Sequence, residues 1–593
     1  MTWEIVFTLF FIGLMLIGLI FEIASPFIVI FFTLTIFVIT GIVSIEEALS
    51  GFANEALWTI AMLFIIAGTI KKSGIIDQII SRLLQRQGTV KKTLLKLLPP
   101  IAGLSAFLNN TPIVITLTPI LRDWCEKNNI PPSKLLIPLS YATILGGTIT
   151  LMGTSTNLII HELMIENGLQ GFSIFTPLAI VGIPITVLGI GYLICIGHKF
   201  LPSHKPIKDT VAEQSREYLG EVVIEKNFPF TYLTIDDAGL RNLKGIYFIS
   251  LLRGKKRITP LKSTTIVQPG DRLTFTGDLS SIAELQSIKG LQIETNSDMD
   301  ISDLCNNHTN FVEAVVSHHS TLLYQKLKDT QFRAKYDAVV IAVHRKNERI
   351  HSKIGDIILK PGDTLLMLTG SDFQKNSGKD DDFYVVTPVK RTSYTKSNSK
   401  RGWFAIAIFL AMITLVTFQI LSMFMALLIT ISCFFLFRMF KPSEAKHYIQ
   451  LHVLMIIACS LGVGKALTNS GTAQWVADKL LYLTEPFGVL MILISVYFIT
   501  MMFTEFITNN ATAVLMFPIA MEISNVVSLD PLVLAVIVTI AASASFATPI
   551  GYQTNLIVYG PGGYSFKDFL KAGIPLNMMT MIATVTIVYL FWV

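Results

Sequence analysis

The sequence predicts a polytopic α-helical membrane protein in two halves, with an α+β insert between them. Three observations carry this. The 593-residue chain is 52% hydrophobic and only 15% charged, whereas soluble globular proteins are about 25% charged. Its apolar residues gather in runs nearly free of charge, at 5–21, 26–43, 56–70, 177–197, 403–437, 448–463, 486–503, 532–550 and 574–593. A spanning helix needs roughly 17–25 such residues. Between residues 201 and 400 the composition shifts to β-branched runs divided by charged and Gly/Pro turns, closing in a polar linker around Lys390–Arg401.

The first element, 5–21, starts without a basic segment or a small-residue cleavage site, so a retained span is expected rather than a signal peptide. The five cysteines, Cys125, Cys195, Cys305, Cys433 and Cys459, form no C-x-x-C pair, which argues against a disulfide framework or a zinc site. Orientation follows from Lys and Arg in short loops. Lys71, Lys72, Arg82, Arg86, Lys91, Lys92 and Lys96 crowd one loop, and Arg122, Lys127, Lys134, Lys199, Arg438, Lys441 and Lys446 mark others. The loops at 44–54 and 166–171 carry none. The basic loops and the insert are therefore expected in the cytoplasm and the chain in the cell (inner) membrane. Residues 75–95 alternate apolar and basic positions at helical spacing, the pattern of a helix lying on the inner membrane surface or of an ordinary cytoplasmic helix.

The two membrane blocks repeat each other. Ser105-Ala-Phe-Leu-Asn109-Asn110-Thr111-Pro112 matches Thr504-Glu-Phe-Ile-Thr508-Asn509-Asn510-Ala511, and Pro119 matches Pro518. Gly153-Thr154-Ser155-Thr156-Asn157 matches Gly551-Tyr552-Gln553-Thr554-Asn555, with 47 residues from Asn110 to Asn157 and 46 from Asn509 to Asn555. Ser73-Gly74 matches Ser470-Gly471, and Gly182-Ile183-Pro184 matches Gly573-Ile574-Pro575. Matches in one order at near-constant spacing indicate duplication. An odd number of crossings per half predicts inverted repeats, an arrangement of secondary transporters that bind near the midplane where helices break.

Leu97–Leu121, interrupted at Asn109–Pro112, is expected as a re-entrant hairpin with arms of about a dozen residues, too short to cross a core of roughly 30 Å. Val489–Met521, interrupted at Thr508–Asn510, is expected to enter from the other side. Such breaks are tolerated where they line a cavity or are buried in protein. Their freed carbonyls and neutral Asn, Thr and Ser oxygens suit a hard cation such as sodium, and half-helix N-termini suit an anion. The competing reading is helix–helix hydrogen bonding. Glu505 and Lys465 are the main deep ionisable residues; no Asp pair of a proton relay stands out. Glu505 is also a candidate for orienting its hairpin.

At these residues the sequence resembles the divalent anion–sodium symporter family of the ion transporter superfamily, over roughly two thirds of the chain. The family's Ser-Asn-Thr triplets read Asn109-Asn110-Thr111 and Thr508-Asn509-Asn510 here, and its Gly-Thr-Pro-Pro-Asn loop reads Gly153-Thr154-Ser155-Thr156-Asn157. The resemblance implies one sodium site at Ser105, Asn109, Asn110 and Gly153, and a second at Thr504, Ile507 (backbone), Asn509 and Gly551. It implies anion contacts from Asn109, Asn110, Thr111, Thr508, Asn509 and Asn510, with Thr154, Asn157, Thr554 and Asn555 in the supporting loops. It further implies a homodimer working by an elevator-like movement in the lipid bilayer.

The insert repeats too. Arg241 and Arg333 are 92 residues apart, as are Gly270 and Gly362 in the turns Gln268-Pro269-Gly270-Asp271 and Lys360-Pro361-Gly362-Asp363. The pattern looks like two TrkA-C (RCK-C) domains, which implies binding of a small regulatory ligand such as a nucleotide, or dimerisation. No G-x-G-x-x-G follows a strand. The expected domains are 1–200 and 401–593 for the membrane repeats, and 201–298 and 299–400 (with its linker) for the TrkA-C-like pair. Family members with such pairs are mostly assigned to sulfate uptake by resemblance. The leading expectation is thus sodium-coupled symport of a divalent oxyanion, sulfate ahead of a C4 dicarboxylate, with sodium as coupling ion, no organic cofactor and no nucleic-acid partner. A cation/proton antiporter or arsenite exporter of the same superfamily, and a membrane sensor with the insert as output, are the alternatives. An enzyme is disfavoured, since no nucleophile–base pair or metal cluster is legible.

Overall fold

The structure is a computed structural model and describes residues 2–21, 23–75, 84, 89–128, 130–203, 220–240, 246–254, 256–258, 261, 265–277, 288–294, 310–317, 320–345, 348–350, 354–369, 373, 382–388 and 399–593. It divides into two compact units, one of residues 1–203, 395–558 and 565–593, the other of residues 204–394 and 559–564.

The first unit is helical. Its N-terminal half holds α1 (Trp3–Ile20), α2 (Pro26–Ile39), α3 (Ile45–Ala53), α4 (Glu55–Lys72), α5 (Val90–Ser105), α6 (Asn110–Lys127), α7 (Leu136–Gly147), α8 (Ser155–Glu166) and α9 (Leu178–Tyr192). The C-terminal half holds α10 (Ser399–Thr417), α11 (Met423–Leu436), α12 (Pro442–Tyr448), α13 (Leu451–Asn469), α14 (Thr472–Thr484), α15 (Val489–Phe506), α16 (Asn509–Val527), α17 (Pro531–Ser543), α18 (Gln553–Tyr559) and α19 (Phe566–Trp592). Among the described residues seven helical stretches are long and apolar enough to cross a membrane: Trp3–Ile20, Ile45–Lys72, Leu178–Phe200, Leu451–Asn469, Val489–Phe506, Asn509–Val527 and Phe566–Trp592. The surface helix expected over 75–95 lies largely outside the described residues; its last part is the start of α5.

Apolar side chains settle both the inside and the outside of this unit. Along α1, Ile12, Met15 and Leu19 are buried while Val6, Phe10, Leu14 and Ile17 stay exposed, an outer face suited to lipid tails. Helices α7 and α17 are enclosed along almost their whole length and form the centre of the two halves. Hydroxyls within helices are satisfied locally: Thr33, Thr69, Thr118, Thr430, Thr500 and Thr539 each donate to the carbonyl four residues earlier. That return bond removes the cost of a bare polar group in an apolar surrounding.

The two Gly-Ile-Pro matches acquire a physical reason. A Cβ on Gly182 would lie 2.6 Å from the Thr148 carbonyl oxygen, and one on Gly573 would lie 2.1 Å from that of Phe546. In each half a glycine of the last long helix lets the backbone of the interrupted helix pack directly on it.

The expected hairpin arms are corrected. They span 16 and 18 residues for α5 and α6, and 18 and 19 for α15 and α16. The apolar limits alone truncate them, because the helices continue through polar ends such as Lys91–Thr93 and Arg122–Lys127. The breaks also move. The first comprises residues 106–109, so Asn110, Thr111 and Pro112 form the opening turn of α6. The second is Ile507 and Thr508, with Thr508 capping α16 through its hydroxyl, which accepts from the Ala511 N–H.

The second unit contains two five-stranded antiparallel sheets. The strands are β1 (Gly220–Ile224), β2 (Ile246–Arg253), β3 (Lys256–Ile258), β4 (Arg272–Gly277), β5 (Leu291–Glu294), β6 (Asn310–Val316), β7 (Ala338–Arg345), β8 (Glu348–Arg349), β9 (Thr364–Thr369) and β10 (Phe383–Pro388). Their orders, β3-β2-β4-β1-β5 and β10-β6-β9-β7-β8, are the same order read in opposite directions. Each Pro-Gly-Asp turn is pinned alike: Arg253 holds both oxygens of Asp271 at 2.8 and 2.7 Å, and Arg345 holds those of Asp363 at 2.7 Å each. These bidentate pairs fix the turn as well as the charge.

The sheets differ at one buried carboxylate. Asp382 accepts from Ser320 Oγ (2.9 Å), the Thr321 N–H (2.5 Å), Lys335 Nζ (2.9 Å) and the Tyr336 hydroxyl. Burial pushes this carboxyl up, but the donors from Tyr336, Lys335, Ser320 and Thr321 together outweigh it and hold it below the usual carboxylate range. Asp382→Ala strands these donors and is expected to destabilise the second sheet by roughly 3–5 kcal/mol, seen as faster limited proteolysis after residue 300 in the full-length protein. Wild-type resistance would refute it.

Candidate functional site

Each half builds the same constellation from its hairpin break and its interrupted helix. In the first, Ser105 at the end of α5 donates from Oγ to Asn110 Oδ1 (2.5 Å) and to the carbonyl of Thr143 in α7 (2.9 Å). In the second, Thr504 of α15 donates from Oγ1 to Asn509 Oδ1 (3.1 Å) and to the Ala542 carbonyl (2.6 Å). Each hydroxyl has one proton for two acceptors, so each cluster gathers more oxygens than protons. Ser105, Asn110 and Thr504 are fully buried.

Glycines bring the interrupted helices onto these clusters. A Cβ on Gly153 would lie 2.3 Å from the Gly147 carbonyl oxygen, and one on Gly147 would lie 2.9 Å from Asn110 Oδ1. A Cβ on Gly551 would lie 2.7 Å from the Thr504 carbonyl oxygen. The loops are tied by their closing asparagines. Asn157 Nδ2 donates to the carbonyls of Gly147 (3.0 Å) and Thr150 (2.7 Å), and Asn555 Nδ2 to those of Ser545 and Thr548 (both 3.0 Å). The hydroxyls of Thr150 and Thr548 reach the corresponding carbonyls of Ala106 and Glu505 across the hairpin tips.

The two halves then meet. Thr111 Oγ1 donates to Gln553 Oε1 (3.2 Å), and Ser155 Oγ donates to Asn510 Oδ1 (2.9 Å), with Thr156 Oγ1 at 3.3 Å. Thr111 and Asn510 match in the repeat, as do Gln553 and Ser155, so the two bonds are counterparts. Asn110 Nδ2 donates to the Tyr552 hydroxyl (2.6 Å), which lies 3.2 Å from Thr154 Oγ1. Ser140 Oγ of α7 reaches Thr554 Oγ1 (2.9 Å) and Asn555 Oδ1 (2.7 Å). The residues expected from sequence thus converge, with two exceptions. The Asn109 side chain stays out of the Ser105–Asn110 cluster, accepts from the Thr111 N–H at 3.4 Å, and lines a cavity with Phe64, Phe107, Met152, Ser155 and Phe409. Thr508 acts as the α16 cap.

Sequence reasoning passed over Ser140, Ser155, Tyr552, Gln553 and Asn577. Ser155, Tyr552 and Gln553 had a usable signal, since they stand inside the matched five-residue loops. Ser140 and Asn577 had none, being polar residues on helices with no counterpart in the matched motifs. Glu505 breaks the symmetry of the halves, for its counterpart is Ala106. Its Oε1 accepts from the N–H groups of Phe546 (3.0 Å) and Ala547 (2.9 Å) and from Asn577 Nδ2 (2.7 Å). It is a clamp on the loop before α18, not a member of either oxygen cluster.

Two broken hairpin tips and two interrupted helices converging on neutral polar groups inside an apolar helical unit define a multi-pass membrane transporter. The chain belongs to the CitMHS citrate transporter family, whose model matches residues 16–541. It is similar to a putative sulfur deprivation response regulator of Chlamydomonas reinhardtii, 32% identical over 565 residues, covering 94% of this chain and 97% of that protein. Sodium/sulfate cotransporter 1 of the same alga is 24% identical over 749 residues, covering 91% and 84%. The sodium-dependent dicarboxylate transporter SdcS of Staphylococcus saprophyticus is 31% identical over 137 residues, covering 23% and 26%. The chain is accordingly a transporter and not an enzyme.

Proposed function

We propose that this protein is a sodium-coupled symporter of a divalent oxyanion, with sulfate as the substrate. The observation that carries the reading is that hydrogen bonds between the halves join helix openings in two pairs, Thr111 of α6 to Gln553 of α18 and Ser155 of α8 to Asn510 of α16. A helix of ordinary length presents roughly half a positive charge at its N-terminus; α18 has only seven residues, so α6, α8 and α16 supply about +1.5, short of a dianion's two charges. None of the site residues is a lysine or arginine. Cations held beside the anion make up the difference, which is a physical reason for coupling.

In this reading Ser105, Asn110 and the Gly153 loop hold one sodium ion, with Asn109 beside them. Thr504, Asn509, the Ile507 backbone and the Gly551 loop hold the other. Thr111, Asn510, Ser155 and Gln553 face the anion. A compact tetrahedral oxyanion displaces fewer of the cross-half hydrogen bonds than a four-carbon diacid, and the algal relative's name points the same way. The halves act as inverted repeats, α5–α6 and α15–α16 as re-entrant hairpins, and the transporter as an elevator-type homodimer in the inner membrane. The 204–394 unit acts as a cytoplasmic regulatory pair of TrkA-C-like domains binding a small ligand. The expected result in proteoliposomes is uptake of labelled sulfate driven by an inward sodium gradient and competed by unlabelled sulfate more strongly than by succinate or citrate. Uptake indifferent to sodium would sink the coupling. A C4 dicarboxylate is the second reading, favoured by the SdcS match, and stronger competition by succinate would select it.

A further inference from the structure

We infer that Tyr552, from the second half, is a positioning residue for the cation site of the first half, and that it makes that site the tighter of the two. The inference rests on the sodium-symport reading above. A primary amide has a donor end and an acceptor end, and fixing one fixes the other. Asn110 turns Oδ1 to Ser105 Oγ at 2.5 Å, and its Nδ2 donates to the Tyr552 hydroxyl at 2.6 Å. The amide also lies against Gly147, where a Cβ would come within 2.9 Å of Oδ1 and 3.0 Å of Nδ2. The slot is narrow, and with its own proton directed to Thr154 Oγ1 the phenol can only accept from the amide, which turns Nδ2 to it and Oδ1 to the oxygen cluster. Thr154 Oγ1, 3.2 Å away, holds the phenol from its far side. Tyr552 is itself 9% exposed, so its hydroxyl has little water to turn to.

Among the described residues the second cluster has no such device. Asn509 Oδ1 receives Thr504 Oγ1 at a longer 3.1 Å. The counterpart of Tyr552 in the repeat is Thr154, too short to reach the far amide and already engaged with Tyr552. The Asn110 oxygen is therefore aimed before a cation arrives, whereas the Asn509 oxygen is aimed by the cation. Preorganisation lowers the cost of binding, so the first site fills at lower sodium.

The test is Tyr552→Phe, which removes one oxygen and keeps the ring. Two readouts are used on the full-length protein: sodium activation of labelled sulfate uptake, and the sodium-dependent rise in melting temperature of purified protein without sulfate, with potassium as the control ion. The sodium midpoint of the melting shift is expected to rise about fivefold, the scale of one buried hydrogen bond, and the half-activating sodium concentration, which the weaker second site also limits, to rise with it by a smaller factor. The sulfate KM at saturating sodium is expected to move less than the sodium midpoints do. A purely structural role would instead lower the melting temperature equally with and without sodium. Thr154→Val, which releases the phenol from its other partner, is expected to move both midpoints in the same direction by about twofold. It keeps the test decisive should Tyr552→Phe fail to fold. Wild-type midpoints in the variants would overturn this inference and leave sodium symport standing. A wild-type protein indifferent to sodium in both readouts would overturn the symport reading and this inference with it.

Discussion

Replacing Glu505 with alanine is expected to reduce uptake to background and to lower the melting temperature of the purified protein more than any substitution in the oxygen clusters. The carboxyl is buried and one oxygen serves three donors, two of them backbone N–H groups of the loop before α18. Alanine leaves all three without a partner. At about 1–3 kcal/mol for each orphaned buried group, the loss is a large fraction of a typical protein's stability of about 5–15 kcal/mol. Glu505→Gln keeps an oxygen for the same three donors and turns an amide toward Ser545 Oγ, which stands 3.3 Å from Oε2. It is expected to fold and to retain most of the uptake. Equal melting of Glu505→Ala and wild type would show that the loop does not depend on the clamp.

Alanine at Gly551 is expected to cut uptake at least tenfold while the helices still assemble. The added carbon would sit 2.0 Å from Ser545 Oγ, 2.7 Å from the Thr504 carbonyl oxygen and 3.1 Å from Glu505 Cα. The serine can rotate away. The backbone of α15 cannot, and Thr504 also carries the hydroxyl that reaches Asn509. Overpacking of this kind costs roughly 1–3 kcal/mol, and 1.4 kcal/mol taken from binding is about tenfold. Gly103→Ala is the control, because nothing lies within 4 Å of its added carbon. Sodium-driven uptake by both variants checks the pair, and near-equal rates would refute the close-contact account.

The paired Asn motifs and the Gly-x-x-Thr-Asn loops were legible because each is a polar interruption of an apolar run, repeated once. The break positions were not, since hydrophobicity ends where polar helix ends begin, and capping decides the rest: Asn110 starts a helix while Asn109 does not. The cross-half bonds were invisible in principle, for no local rule pairs Thr111 with Gln553. Glu505 could be found as a deep carboxylate, but its partners in α19 and in the loop before α18 come only from tertiary packing. In the second unit, the Pro-Gly-Asp turns were readable from their composition, whereas the arginines that pin them, Arg253 and Arg345, lie 18 residues before their aspartates.

The bonds between the halves also bear on how the protein is made. Asn110 is separated from Tyr552 by 442 residues, Ser140 from Thr554 by 414, and Ser155 from Asn510 by 355. The first half therefore leaves the ribosome with its hairpin tip unpaired and stays so through synthesis of the whole 204–394 unit. The partners of that tip, Tyr552 and Gln553, are made only after this unit and helices α10–α17. Until then the polar tip must find temporary partners in the bilayer or in the insertion machinery. Binding competence is thus acquired only once residues 552–555 have been made, and a chain stopped before them holds its oxygen clusters without the bonds that join the halves.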